Sequence, residues 1–389
     1  MYGRTTFFSN FLAAALLAGC APVTERSVDR IEPFGTVAME AAATIDVSGL
    51  RRTIATLASD KFEGRGPASL GDVMTQTYLS ERLDRLGYVP AGDAGGWLQP
   101  FNIVSITTTP PNTWTFSTSG KSVILNQWDD FIAGSGIQER LAEINDAELV
   151  FVGYGITAPE FGWNDFKDLD VRGKVLLIMN NDPDWDPDLF QGNRRLYYGR
   201  WSYKYEMAAE LGAAGVIVIH TTPSAGYPYQ VVQTSWTGAQ YQLPSADEPR
   251  TPIQAWVTEA AAAQLASLAG YDLKELVESA RSANFVPVSL GLTTSLSLKN
   301  ELSHVQTANV AGLLKGRDPI LRNEVLILTA HHDHLGVGEP DETGDTIYNG
   351  ALDNAAGVSQ VMAIAEALQS LPEAPRRSVL ILLVAAEEQ

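Results

Sequence analysis

Val325-Leu326-Ile327-Leu328-Thr329-Ala330-His331-His332-Asp333-His334 and, further on, Val379-Leu380-Ile381-Leu382-Leu383-Val384-Ala385-Ala386-Glu387-Glu388 are the two stretches whose reading decides the fold. Each is a continuous apolar run, rich in branched residues, that stops at a cluster of ionisable side chains. Continuous rather than alternating apolarity fits strands buried on both faces of a parallel sheet. Parallel neighbours need a crossover connection. Residues 354–371 supply one, with Val358, Val361, Met362, Ala365 and Leu368 on one helical face and Pro372 beyond the end. Strand, helix and strand form a crossover unit of an α/β sheet. Ligands in such sheets bind beyond the carboxyl ends of the strands. His331 and Asp333 are therefore expected to share one edge with Glu387 and Glu388, and Asp353, opening the crossover helix, is expected to face it.

Imidazole combined with carboxylates suits a borderline divalent metal such as zinc. A carboxylate can also bridge two ions about 3.5–4 Å apart, the spacing of co-catalytic hydrolytic sites. Such a site polarises a carbonyl, and it needs a free carboxylate to carry a proton from water to the leaving amine. Two consecutive glutamates can divide these tasks. Adjacent strand residues point to opposite faces, so both reach one site only if the strand has ended before them.

His331-x-Asp333, Asn349-Gly350-Ala351-x-Asp353-Asn354-x-x-Gly357 and Glu387-Glu388 resemble the motifs of the di-zinc aminopeptidases related to aminopeptidase Y and glutamate carboxypeptidase. Leu57-Ala58-Ser59-Asp60 through Glu63-Gly64-Arg65-Gly66 resembles that family's N-terminal loop. Asp170-Val171-Arg172-Gly173-Lys174-Val175 and Ala213-Ala214-Gly215-Val216-Ile217-Val218 resemble a protease-associated domain inserted into the peptidase. The resemblance implies His331 as ligand to one zinc, with Asp333 as the group that orients it. It implies Asp353 as the bridge between two zinc ions, Glu388 as ligand to the second, and Glu387 as general base acting on peptide substrates. The family also uses an Asp and a His that follow the Glu-Glu pair. The chain stops at Gln389, so it is expected to be an N-terminal portion of a longer product, inactive alone. Carboxypeptidases, glutaminyl cyclases and non-catalytic receptor-like proteins are the alternatives within the same resemblance.

The implied fold is α/β: a mixed, largely parallel peptidase sheet of the phosphorylase/hydrolase-like type, with an inserted β-rich protease-associated domain. The expected division is a lipoprotein signal at 1–19, a tether at 20–45, peptidase at 46–135, the inserted domain at 136–297 and peptidase again at 298–389. Ser48 is expected to cap a helix running to about Ser59, and a second helix is expected from about Leu70 to Leu86. Arg4 precedes an apolar stretch from Phe7 to Ala18, the layout of a secretory signal. Leu17-Ala18-Gly19-Cys20 resembles a bacterial lipobox, which makes Cys20 a lipidation site and the protein membrane-anchored. Ala21 after it favours the outer membrane, on the periplasmic side, over the inner membrane.

Composition bounds the rest. The chain has 389 residues, enough for two or three domains at roughly 150 residues each. Its 46 acidic and 27 basic residues give a net charge of −19, which argues against a nucleic-acid partner. The single cysteine excludes an internal disulfide framework. The alternating Asp182, Asp184, Asp186 and Asp188 are interrupted by Pro183 and Pro187, so a solvated loop is favoured over a calcium site. Tyr197, Tyr198, Trp201, Tyr203 and Tyr205 read as packing, and His332 and His334 as groups other than ligands. Gly64-Arg65-Gly66 and Gly134-Ser135-Gly136 lack the strand–turn–helix setting of a dinucleotide fingerprint.

Overall fold

The computed structural model describes residues 35–341 and 343–388. The signal, Cys20 and most of the expected tether lie outside the described residues. A short helix, α1 (Thr36–Ala42), closes the expected tether. Helix α2 (Val47–Leu57) is capped by Asp46 and not by the expected Ser48: the Asp46 carboxylate accepts from the backbone N–H groups of Ser48 at 2.8 Å and Gly49 at 3.0 Å. Helix α3 (Leu70–Arg85) is capped by Ser69, whose hydroxyl accepts from Asp72 N at 3.2 Å. Among the described residues no helix is long and apolar enough to cross a membrane.

The strands that follow are β1 (Leu98–Thr109), β2 (Thr113–Thr118), β3 (Lys121–Asn126), β4 (Phe131–Ser135), β5 (Leu141–Phe151) and β6 (Val175–Met179). Next come α4 (Trp201–Glu210), β7 (Gly215–His220), α5 (Tyr229–Ser235), β8 (Ala239–Gln242), β9 (Ile253–Thr258), α6 (Glu259–Leu268) and β10 (Val288–Leu314). The chain closes with β11 (Val325–His331), α7 (Ala356–Gln369) and β12 (Ser378–Val384). The main sheet runs β8-β1-β10-β5-β6-β7-β9-β4, with β12 on the C-terminal part of β10 and β11 on β12. It is mixed. Parallel pairing joins β5, β6, β7 and β9, and separately β11 with β12. The other pairings in this sheet are antiparallel.

Strand β10 organises the molecule. Over 27 residues it pairs first with β5, then with β1 from Lys299 to Val310, and finally with β12 from Val310 to Leu314. The expected division at 297/298 falls inside this strand. Backbone hydrogen bonding therefore runs unbroken across that expected division. The cores are nevertheless separate. One gathers Trp114, Phe116, Phe151, Leu177, Ile217 and Leu298; the other gathers Leu57, Leu79, Leu83, Val310, Met362 and Ile381. The first core begins at Trp114, ahead of the expected start at 136, because β2 and β3 fold back onto the module.

Burial of the two decisive strands is unequal. β12 packs Val379, Ile381 and Leu383 into the second core. On β11, Val325, Leu326 and Ile327 are about half exposed, because among the described residues only β12 pairs with that strand. Burial on both faces, as expected from the apolar run, therefore holds for neither face of β11's first half. In the module, Asp184, Asp186 and Asp188 are exposed, whereas Asp182 is buried and accepts from Leu196 N at 2.9 Å. The aromatic residues pack on one another, with Tyr198 and Tyr203 ring centroids 5.1 Å apart.

Candidate functional site

Parallel pairing sets His331 opposite Val384, so the two ionisable clusters emerge side by side at the carboxyl ends of β11 and β12. The residues after His331 divide by face. His331 and Asp333 point into the site. His332 turns away and is buried, its Nε2 3.1 Å from Asp72 Oδ1 and its Nδ1 3.2 Å from Leu383 O. His332 thus ties α3 to the end of β12.

β12 ends at Val384, and Ala386 takes a left-handed conformation, φ 59. That turn lets two consecutive glutamates reach one site. Asp333, fully buried, holds the turn: its Oδ2 accepts from Glu387 N at 3.0 Å and from Glu388 N at 3.4 Å. Glu387 Oε2 lies 3.6 Å from His331 Nε2, and Glu388 Oε1 lies 2.7 Å from His334 Nδ1. Asp353 comes from the loop before α7, with Oδ1 3.0 Å from His331 Nε2. A cis peptide bond joins Asp353 to Asn354, whose Oδ1 accepts from Gly357 N at 2.9 Å. Ligand atoms of His331, Asp353 and Glu388 all fall within 4.8 Å of one another. One imidazole and two carboxylates make a donor set suited to zinc, and three protein donors is the usual complement of a hydrolytic zinc. The residues present fit that ion.

Beneath these loops lies Arg65, only 1% exposed. Its Nε donates to His332 O at 2.8 Å, and the two terminal nitrogens donate to Leu57 O at 2.6 Å, Asn349 O at 2.7 Å and Gly350 O at 2.8 Å. One planar guanidinium therefore joins the end of α2 to both loops that carry site residues. Gly350 has φ 58, and a Cβ there would stand 2.4 Å from an Arg65 terminal nitrogen, so only glycine lets the loop settle on the cation.

The model of Peptidase family M28 matches residues 309–389. This M28-like segment is about a fifth of the chain. Comparison with curated proteins returns no match. Among solved structures the chain is similar to an aminopeptidase from Aneurinibacillus sp. strain AM-1, at 18% identity over 90% of this chain and 65% of that one, TM-score 0.47. It is similar to BSAP, a zinc aminopeptidase from Bacillus subtilis, at 16% identity over 88% and 62%, TM-score 0.38. It is also similar to a peptidase M28 precursor from Shewanella amazonensis SB2B, at 17% identity over 90% and 67%, TM-score 0.46. The chain thus spans about two thirds of the length of these proteins.

The site concentrates negative charge. Burial pushes the His331 imidazole down, but Asp333, Glu387 and Glu388 outweigh it and hold the ring up at about 9. Burial raises Glu387, and Glu388, Asp333 and Asp353 add to the rise against the opposing pull of His331. Burial lowers Arg65 to about 10, with Asp333, Glu388 and Asp353 resisting. The carboxylates thus favour the charged forms of His331 and Arg65 and disfavour that of Glu387, and a cation in their midst is the natural counter-charge.

His331, Asp333, Asp353, Glu387 and Glu388, all expected from the sequence, come together here. Cys20 lies outside the described residues. Sequence reasoning missed three roles: His334 against Glu388, His332 against Asp72, and Arg65 beneath the loops. The only signal for Arg65 was its place in the Glu63-Gly64-Arg65-Gly66 loop. Arg65→Met strands four carbonyls, those of Leu57 and His332 buried and those of Asn349 and Gly350 half-buried, and is expected to cost about 3 kcal/mol or more in denaturant unfolding. Arg65→Lys is expected to recover little, since an ammonium lacks the planar fork that reaches them. A Lys variant as stable as the wild type would refute this role.

Proposed function

We propose that the chain belongs to an exported, lipid-anchored, zinc-dependent aminopeptidase that removes N-terminal residues from peptides. The observation that supports it is the convergence of His331, Asp353 and Glu388 at the paired strand ends, with the free carboxylate of Glu387 beside them. His331 Nε2 and the Asp353 and Glu388 carboxylates would hold zinc. Two ions are expected, with Asp353 as the bridge. Bound there, zinc supplies Lewis acidity to a carbonyl oxygen and makes water more acidic.

The chain's own groups do the rest. Asp333 lies 3.7 Å from His331 Nδ1 and orients the ring while pinning the Glu387-Glu388 turn. Glu387, its carboxyl raised by burial and neighbouring carboxylates, accepts a proton from the attacking water at Oε2. It returns that proton to the amine nitrogen as the C–N bond breaks and the new C–O bond forms. The excess of carboxylates draws in the ammonium of a free peptide N-terminus, which favours aminopeptidase over carboxypeptidase action. The lipobox-like Leu17-Ala18-Gly19-Cys20 supports anchoring to the outer membrane through Cys20.

In the zinc-loaded full-length protein, Glu387→Gln is expected to lower kcat by about 10²–10⁴-fold while metal content holds. Retained turnover would remove Glu387 from the proton path. His331→Ala is expected to lose zinc by elemental analysis, and full retention would contradict its role as ligand. Cys20→Ala is expected to shift the protein from the membrane to the soluble fraction; unchanged membrane association would overturn the anchor.

A further inference from the structure

Residues 127–133 and 234–241 face residues 335–340 across two neighbouring cavities. The smaller, of about 210 Å³, has Thr234, Ser235 and Tyr241 on the module side and Leu335, Val337 and Tyr348 on the other. The larger, of about 510 Å³, lies between Trp128, Ile132 and Trp236 of the module and Glu339 and Pro340. Thr237 and Gly238 line both, and residues 335–340 run along the opposite wall of both. The two cavities therefore form one trough.

The near end of the trough adjoins the candidate site. Leu335 follows His334 directly, and His334 Nδ1 is the group 2.7 Å from Glu388. Thr234, Ser235, Thr237 and Tyr348 bring hydroxyls to this end; each donates to a backbone carbonyl of the protein, which leaves its oxygen able to accept from the N–H groups of a peptide backbone. The far end is aromatic. Trp128 adopts a left-handed backbone, φ 77, and its carbonyl accepts from Gln233 Nε2 at 2.8 Å. Such a conformation is uncommon for a bulky residue and clusters at binding sites. Trp236 is supported from behind by Trp201, centroids 5.0 Å apart, and both Trp128 and Trp236 keep part of their surface open.

We propose that the trough is an extended peptide subsite. It takes the substrate chain beyond the scissile bond, and Trp128 and Trp236 receive an apolar or aromatic side chain several residues downstream. An extended chain advances about 3.3 Å per residue, so a trough of two joined cavities holds several residues. Glu339 on its wall and the net charge of −19 select against acidic peptides. The inference rests on the aminopeptidase reading of the neighbouring site.

The test compares a dipeptide amide with neutral octapeptides carrying one Phe at successive positions, using the zinc-loaded full-length protein. The octapeptides are expected to show the higher kcat/KM, mostly through KM, with a maximum at one Phe position. Thr237→Trp plugs the junction from the module side, and Pro340→Trp, at an exposed position, plugs it from the other. Each is expected to cut the octapeptide-to-dipeptide ratio by about tenfold, the effect of one good contact. Calorimetric binding of an N-acetylated octapeptide gives the same comparison without turnover. A wild type that binds this peptide, more weakly in both variants, yet releases no N-terminal residue refutes the aminopeptidase reading and upholds the trough. Binding and kcat/KM that ignore peptide length, or that neither variant changes, overturn the trough.

Discussion

The parallel pairing of Val325–His331 with Ser378–Val384 is the constraint on which the rest depends. Its register puts His331 opposite Val384, so both strands run out of apolar residues at the same level. A slip of one residue would send His331 to the face now held by His332 and withdraw it from Asp353 and Glu387. The pairing is fixed from several sides. Val379, Ile381 and Leu383 are buried against the crossover helix and α3. His332 spans from Leu383 to Asp72, and Asp333 receives the backbone N–H groups of Glu387 and Glu388.

Electrostatics completes what the backbone sets out. Four carboxylates stand around one imidazole, and the permanent counter-charge among them is Arg65, engaged with carbonyl oxygens rather than with the carboxylates. The site is stable as a framework yet short of positive charge at its mouth. Burial, with the neighbouring carboxylates adding to it, raises Glu387 and leaves its proton affinity available for use.

Much of this was legible in the sequence because the apolar runs and the residues after them obey simple rules. Periodicity placed the crossover helix, and chemistry singled out His331, Asp333, Asp353, Glu387 and Glu388. What stayed hidden depends on contacts distant in the chain. Arg65 in a glycine-rich loop looks like a solvated cation, and its burial arises only when residues 332, 349 and 350 close over it. His334 meets Glu388 across 54 residues of sequence. The length of β10 was obscured because it changes partners from β5 to β1 to β12, so each section has its own burial pattern. Exposure along the first half of β11 likewise follows from which strands pair with it, which an apolar run alone does not encode.

His331, Asp353 and Glu388 at the paired strand ends would hold zinc. Anomalous diffraction at the zinc absorption edge, from crystals of the full-length protein grown with zinc, tests it most directly. The expected peak is bonded to His331 Nε2 and carboxylate oxygens of this group. Fully occupied zinc bound elsewhere, with none at these residues, would contradict it.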